Sequence, residues 1–186
     1  DNNVWLVGDD REVVVIDAAH DASAITDVVG GRRVTAIICT HAHNDHINAA
    51  RDLVAATGAE VHLHPADDPL WRMEYGTELA YRPLADGDVF TVGGVRLEVL
   101  HTPGHAPGAV CLYAPDLATV FTGDTLFQGG PGATGRSFSS FEVIIESITK
   151  RLLTLPPHTV VNTGHGESTT IGLEAPHLEE WLARGY

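Results

Sequence analysis

Lysine is nearly missing from this chain: Lys150 and ten arginines supply its eleven basic side chains, against 25 acids. The resulting net charge of −14 argues against a nucleic-acid partner, which needs a basic face. Cysteine is scarce too. Cys39 and Cys111 both sit inside apolar runs and read as buried small hydrophobes. No disulfide framework is suggested, so a reducing, cytoplasmic location is expected. No apolar run approaches the ~20 residues needed to span a bilayer, so no membrane partner is expected, and no signal-peptide pattern is present. What remains is ordinary for a globular protein: 186 residues, 44% apolar and 19% charged, enough for a core of its own. One domain over 1–186 is expected. The chain opens abruptly in strand-like sequence, which leaves room for native residues before Asp1.

Histidine, by contrast, is concentrated. Thr40-His41-Ala42-His43-Asn44-Asp45-His46 follows the apolar run Val34-Thr35-Ala36-Ile37-Ile38-Cys39. The run reads as a buried strand, and the residues after Asn44 read as a helix. Residues two apart in an extended segment share a side, so His41 and His43 can reach one ion together. Asp45 and His46 come one turn later and are aimed differently. Ligand-type side chains split in this way suggest two neighbouring cations.

Around this stretch the chain reads as strands with interspersed helices, in two similar halves. Val4–Val7 and Val13–Ile16 form a hairpin across Gly8-Asp9-Asp10-Arg11. Asp17 closes the second strand as a turn acid or as a partner that orients a metal-binding histidine. Ser23 caps a short helix through Val29 that Gly30-Gly31 ends. A helix is predicted from about His46 to Thr57, with Gly58 stopping it. Val61 to His64 is a strand whose His62 and His64 read as a solvated face, and Pro65 opens a short helix or loop. Residues 67–84 show no period; Trp71, Met73, Tyr75, Tyr81 and Arg82 line a cleft or fill a loop. Val89–Val92 and Val95–Leu100 make a hairpin at Gly93-Gly94. Strands over Ala109–Tyr113 and Thr119–Phe121 follow. Gly129 to Gly135 is a Gly-rich loop before a helix with a Ser139/Glu142 capping box and a buried stripe of Val143, Ile144, Ile148 and Leu152. Pro156-Pro157 ends that helix. Thr159–Val161 is the last predicted strand, and a helix near Leu173 to Ala183 closes the chain. Gly130 to Ser137 is one residue short of a phosphate-binding loop and has Arg136 where such loops need lysine, so it reads as a rim loop.

Each ligand-type motif follows a predicted strand: His41 to His46, then His105 in Thr102-Pro103-Gly104-His105, Asp124 in Gly123-Asp124, and His165 in Gly164-His165-Gly166. Loops at the carboxyl ends of strands are where α/β folds gather their sites. Imidazole and carboxylate ligands suit Zn²⁺, Fe or Mn, and no cysteine joins them to require a softer ion. Water bound to such a cation has a pKa near 7 instead of 15.7. Hydroxide attack on a carbonyl then needs no protein nucleophile. Asp45 can orient the water and handle its proton.

Thr-His-x-His-x-Asp-His, Thr-Pro-Gly-His, Gly-Asp-Thr-Leu-Phe and Gly-His-Gly, in this order, resemble the metallo-β-lactamase superfamily, and within it the glyoxalase II group. The resemblance covers essentially the whole chain. It implies an α/β fold, the αββα sandwich. It also implies two divalent ions, most simply Zn²⁺, with His41, His43 and His105 on the first, Asp45, His46 and His165 on the second, and Asp124 bridging them. The implied activity is hydrolysis of S-2-hydroxyacyl thioesters such as lactoylglutathione. The extra basic helical domain of the glutathione-using enzymes is not matched, so the chain looks like the short branch and the thiol stays open. The arginine bias fits a GC-rich host, where mycothiol is an alternative. The family's Gly-Arg-Thr-Asp stretch appears only as Gly135-Arg136-Ser137-Phe138, and Arg136 either faces substrate or makes a loop salt bridge. Relatives that use similar motifs include mononuclear-iron persulfide dioxygenases, lactonases and β-lactamases. A non-enzymatic metal binder would be expected to have lost a ligand, and all seven are present.

Overall fold

The computed structural model describes residues 1–185; Tyr186, the last residue of the expected domain, lies outside the described residues. Two sheets face each other. The first has five strands in the order β1 (Trp5–Gly8), β2 (Glu12–Ile16), β3 (Arg33–Ile38), β4 (Val61–Leu63) and β5 (Arg82–Pro83). β1 is antiparallel to β2 and the remaining pairs are parallel. The second sheet contains β6 (Val89–Val92), β7 (Val95–His101), β8 (Val110–Ala114), β9 (Thr119–Gly123), β12 (Val160–Thr163) and β13 (Thr169–Thr170), in the order β13-β12-β9-β8-β7-β6. Between them in sequence, β10 (Leu126–Phe127) and β11 (Gly130–Pro131) form a small hairpin.

Alternation explains the layering. β2 is buried on both faces, hence its unbroken Val13-Val14-Val15-Ile16 run. Val13 and Val15 pack outward, while Val14 and Ile16 pack inward with Ile38 against Leu97, Val99, Leu112 and Phe121 of the other sheet. Helices α1 (Ala22–Val29), α3 (Ala50–Thr57) and α4 (Asp68–Tyr75) cover the outside of the first sheet through Ile25, Leu53 and Trp71. Helices α5 (Phe141–Ser147), α6 (Ile171–Glu174) and α7 (Leu178–Arg184) cover the second through Ile144, Ile171 and Trp181. The result is the expected αββα sandwich. Cys39 and Cys111 are buried in opposite outer layers.

Several local expectations are corrected. Asp21, not Ser23, caps α1: its carboxylate accepts from Ser23 and Ala24 N–H. The helix predicted from His46 is two pieces, α2 (Asn44–Ile47) and α3. At the break, Ala49 N–H donates to Ala18 O, Ala18 N–H to His46 O, and Tyr75 Oη–H to Ile47 O. Tertiary partners thus take the bonds that would have continued the helix. Ser140 caps α5, while the Ser139 hydroxyl holds Arg136 N–H and O. Ile145 takes the buried place assigned to the exposed Val143, and a π-helical turn, Ile148–Leu152, extends the helix. The aperiodic 67–84 segment contains α4, whose Trp71 and Tyr75 fill the core while Met73 is exposed. Arg82 pairs with Glu60. The final helix starts earlier than predicted and is interrupted by a 3₁₀ turn, Ala175–His177, at Pro176. A strand after the last predicted one, β13, pairs with β12. Among the described residues no helix is long and apolar enough to cross a membrane.

Gly104 ties the second helical layer to its sheet. It has φ 136, a Cβ there would overlap the Ile144 backbone, and its carbonyl accepts from Ser140 N–H. Gly104→Ala is expected to destabilise the protein by about 3 kcal/mol through overpacking, read as a lower denaturant midpoint. An unchanged midpoint would show that α5 is not seated on this glycine.

Candidate metal centre

Five strand ends and one short helix deliver the site. The carboxyl ends of β2, β3, β7, β9 and β12 lead into Asp17, His41–His43, His105, Asp124 and His165, and α2 carries Asp45 and His46. All seven predicted ligand residues are brought together. His41, His43 and His105 form one group whose ligand atoms lie within 4.8 Å of one another, and Asp45, His46 and His165 form a second. His41, His46 and Asp124 form a third that joins them. Asp124 reaches both sides: Oδ1 lies 3.3 Å from His46 Nε2, and Oδ2 lies 3.5 Å from both His105 Nε2 and His165 Nε2.

The imidazoles are held from outside. His105 Nδ1 lies 2.8 Å from Ala133 O and His165 Nδ1 3.0 Å from Asp1 O. A carbonyl only accepts, so these Nδ1 atoms carry the protons and their Nε2 lone pairs face inward. His46 Nδ1 donates to Asp17 Oδ2 at 2.9 Å in the same way. Thr40 Oγ1 donates to Asp17 at 3.0 Å, which leaves it to accept from His41 Nδ1 at 3.2 Å. Asp17 Oδ1 also accepts from Thr40 N–H at 2.7 Å. The Asp17 expectation therefore resolves in favour of the histidine-orienting role.

Inside the cluster, ring nitrogens converge. His43 Nδ1 is 3.0 Å from His41 Nε2 and 2.9 Å from His105 Nε2, and His46 Nε2 is 3.2 Å from His165 Nε2. Asp124 Oδ1 is buried and accepts no hydrogen bond. Converging lone pairs around an unpartnered carboxylate oxygen are what a bound cation satisfies, so the donor set fits divalent metal.

The electrostatics agree. Burial, then the charges of neighbouring imidazoles, push His41 well below the ordinary histidine value of 6.5 and His43 down to about 4. Burial also lowers His105, against the pull of Asp124. Burial would lower His46 as well, but the Asp17 and Asp124 carboxylates outweigh it and hold it at about 10. Without metal, the carboxylates keep a proton where they would otherwise face a cation. Asp124 stays below the ordinary carboxylate value because its imidazole neighbours overcome the effect of burial.

His43, Asp45, His105, Asp124 and His165 line a cavity of about 520 Å³ together with Asn44, Phe127, Ala133 and Arg136, while His41 and His46 are buried. Arg136 therefore faces the cavity, and among the described residues it makes no salt bridge. Residues 130–137 rim the site as expected. His62 and His64 lie elsewhere: His62 packs edge-on against Phe90, and His64 stacks on His101. Two contributors escaped the sequence reading. Asn2 donates to Asp45 Oδ2 at 3.0 Å, and Asp67, fully buried, accepts from Ala42 N–H and Gly108 N–H. The Asp67-Asp68-Pro69 run after Pro65 is the available signal, a helix start within a segment that shows no period.

Known proteins resemble this chain in sequence and fold. A profile of the Metallo-beta-lactamase superfamily matches residues 1–165. The probable metallo-hydrolase YqgX of Bacillus subtilis is 36% identical over 185 residues, covering 91% of this chain and 87% of that protein. Hydroxyacylglutathione hydrolase GloC of Haemophilus influenzae is 31% identical over 188 residues, covering 92% and 89%. The crystal structure of TTHA1623 in a di-iron-bound form aligns with a TM-score of 0.84 at 38% identity, covering 94% and 92%.

For the chelator-stripped protein the shifts fix a pH dependence. His46, raised to about 10, contributes stability that is present below 6.5 and lost as pH rises towards 10. His43, lowered to about 4, takes up a proton more readily when unfolded, so stability is lost as pH falls from 6.5 towards 4. Melting of the metal-free protein should therefore peak near neutrality and fall on both sides. A profile flat from pH 5 to 9 would contradict these shifts.

Proposed function

The chain belongs to the metallo-beta-lactamase superfamily, whose members include metal-dependent hydrolases, and we propose that it hydrolyses S-2-hydroxyacyl thioesters at a two-metal centre. The observation that carries this reading is the pair of ligand groups in one cavity, joined by Asp124. His41, His43 and His105 would hold one divalent ion, and Asp45, His46 and His165 the other, with Asp124 bridging. Zn²⁺ is the simplest choice for these donors, and Fe or Mn suits them as well. Bound there, such ions acidify water and polarise a carbonyl oxygen.

The protein's own groups supply the rest. Asp45 is a carboxylate at neutral pH: burial raises it, but the Asn2 amide and the imidazole of His46 bring it below the ordinary value. It lies on the cavity wall with Oδ2 3.3 Å from His165 Nε2. From there it can orient the attacking water and accept its proton. Asp17 and the Thr40 hydroxyl keep His46 and His41 turned inward as charge moves in the site. Phe127 gives the cavity an apolar wall, and Arg136 offers a cation for an acceptor on the substrate. The thioester reading draws support from the likeness to the hydroxyacylglutathione hydrolase of Haemophilus influenzae and from the absence of a cysteine among the candidate ligands. A small-molecule substrate suits a cavity of about 520 Å³, and the net charge of −14 disfavours nucleic acid. A cytoplasmic location remains part of this proposal.

Loss of thioester absorbance with S-D-lactoylglutathione, measured on protein loaded with two equivalents of Zn²⁺, tests the activity. Asp124→Ala should lower kcat/KM by at least about 100-fold and release metal. Asp45→Asn should lower kcat by about 100-fold or more. Absence of hydrolysis with this and other acyl thiols would overturn the thioesterase reading. Oxygen uptake with a persulfide by an iron-loaded sample would replace it with the dioxygenase alternative.

A further inference from the structure

We propose that Asp67 is the positioning residue of the first ligand group, fixing His41, His43 and His105 by clamping the main chains of the two loops that carry them. The inference rests on the two-metal reading above and assigns to one half of that site its own organiser.

Asp67 ends the 3₁₀ turn Pro65–Asp67 after β4 and has no exposed surface. Its two oxygens are both used. Oδ2 accepts from Ala42 N–H at 2.8 Å, and Oδ1 accepts from Gly108 N–H at 2.5 Å. Ala42 stands between His41 and His43, so a bond to its N–H fixes the stretch from which both imidazoles project. Gly108 belongs to the loop from Thr102 to Ala109, closed by Thr102 N–H to Ala109 O and Gly104 N–H to Ala106 O. A bond to Gly108 thus holds the same closed loop as His105. The two loops leave different sheets, β3 in one and β7 in the other. This carboxylate, beside the direct bond from Val110 N–H to Thr40 O, therefore sets a spacing between histidines that no shared strand could set.

The fit is close. A Cβ on Gly108 would stand 2.8 Å from Asp67 Cγ, so glycine there lets the carboxylate approach. Burial raises the Asp67 carboxyl above its ordinary value in spite of the two donors, a cost that the fold maintains against solvation of the charge. Asp67 touches none of the second group. His46 and His165 take their outer bonds from Asp17 and Asp1 O. Asp17 thus reaches into both halves of the centre, whereas Asp67 is confined to the first.

Asymmetry is the test. Asp67→Asn turns one acceptor into an amide donor facing an N–H, and Gly108→Ala pushes the carboxylate from its place. Each is titrated with Co²⁺ in two backgrounds of the full chain, followed by visible absorption. In His165→Ala, retained cobalt reports the first group; in His43→Ala, it reports the second. Either substitution should weaken Co²⁺ by about 10- to 100-fold in the His165→Ala background, the range for partners of metal ligands. Affinity in the His43→Ala background should stay within about twofold, with circular dichroism unchanged, because the Asp67 carboxylate bonds only to Ala42 N–H and Gly108 N–H and to no residue of the second group. Equal loss in both backgrounds would make Asp67 merely structural, and no loss in either would remove its role; both overturn the inference. If Asp67→Asn does not fold, the Gly108→Ala titration decides. If the parent chain takes up fewer than two Co²⁺ ions, the two-metal reading fails and this inference falls with it. Two ions bound without thioester hydrolysis would sink only the activity.

Discussion

Every histidine in the centre whose outer nitrogen has a partner is committed there to an acceptor. Ala133 O, Asp1 O, the Asp17 carboxylate and the Thr40 hydroxyl take the Nδ1 protons of His105, His165, His46 and His41. That constraint decides the rest of the site. With those protons outside, the Nε2 lone pairs point at one another and at an oxygen of Asp124 that lacks a hydrogen bond. Lone pairs at about 3 Å repel unless positive charge lies among them. In the metal-free protein the proton on His46 supplies some of it. Polar atoms that would be a defect elsewhere are here the binding site.

The four candidate ligands from His41 to His46 were legible in their spacing, whereas the grouping with His105, Asp124 and His165 came from the family resemblance of the motifs that carry them. A His-x-His pair in extended chain and an acid-histidine pair at a helix start can only project in two directions, and the structure keeps both. Asp17 was legible only as a choice between a turn acid and a histidine-orienting partner, and its bonds to His46 and Thr40 make that choice. Asp67 was not legible. It acts on backbone N–H groups, and a main-chain donor leaves no trace in the residue identity at Ala42. Nor was the break between α2 and α3 visible, because Ala18 O, Ala18 N–H and the Tyr75 hydroxyl come from distant segments. The expected helix caps lie two residues late, at Ser23 for Asp21, and one residue early, at Ser139 for Ser140. Adjacent polar residues compete for such places, and only the entry angle of the chain chooses between them. Element order and the four-layer architecture depend on apolar periodicity, which survives these local decisions.

Charge distribution separates stability from chemistry. Six arginines and Lys150 are matched to carboxylates on the surface, and Arg32 and Arg184 donate to backbone carbonyls. Exposed pairs of this kind add little to stability, but they do neutralise the few cations in an acidic chain. Arg136 is different. It lines the cavity from a loop whose Ala133 O holds His105, so a cation on the cavity wall and the group that orients a candidate ligand share a short segment. Sequence change in this rim loop therefore acts on binding and on ligand geometry together.

The centre also binds fold to function through the inter-sheet core. His41, His43 and His46 belong to the half built on β3, whereas His105, Asp124 and His165 leave β7, β9 and β12 of the other sheet. Neither sheet alone holds either ligand group. The apolar layer of Val14, Ile16, Ile38, Leu97, Val99, Leu112 and Phe121 sets the sheet separation, and polar links such as Val110 N–H to Thr40 O at 2.8 Å refine it at the site. A cavity opened in that layer would let the sheets shift by fractions of an ångström, since cores relax only in part around lost volume. Metal ligands tolerate such shifts poorly. Packing defects remote from any histidine should then reach metal affinity before they reach the secondary structure.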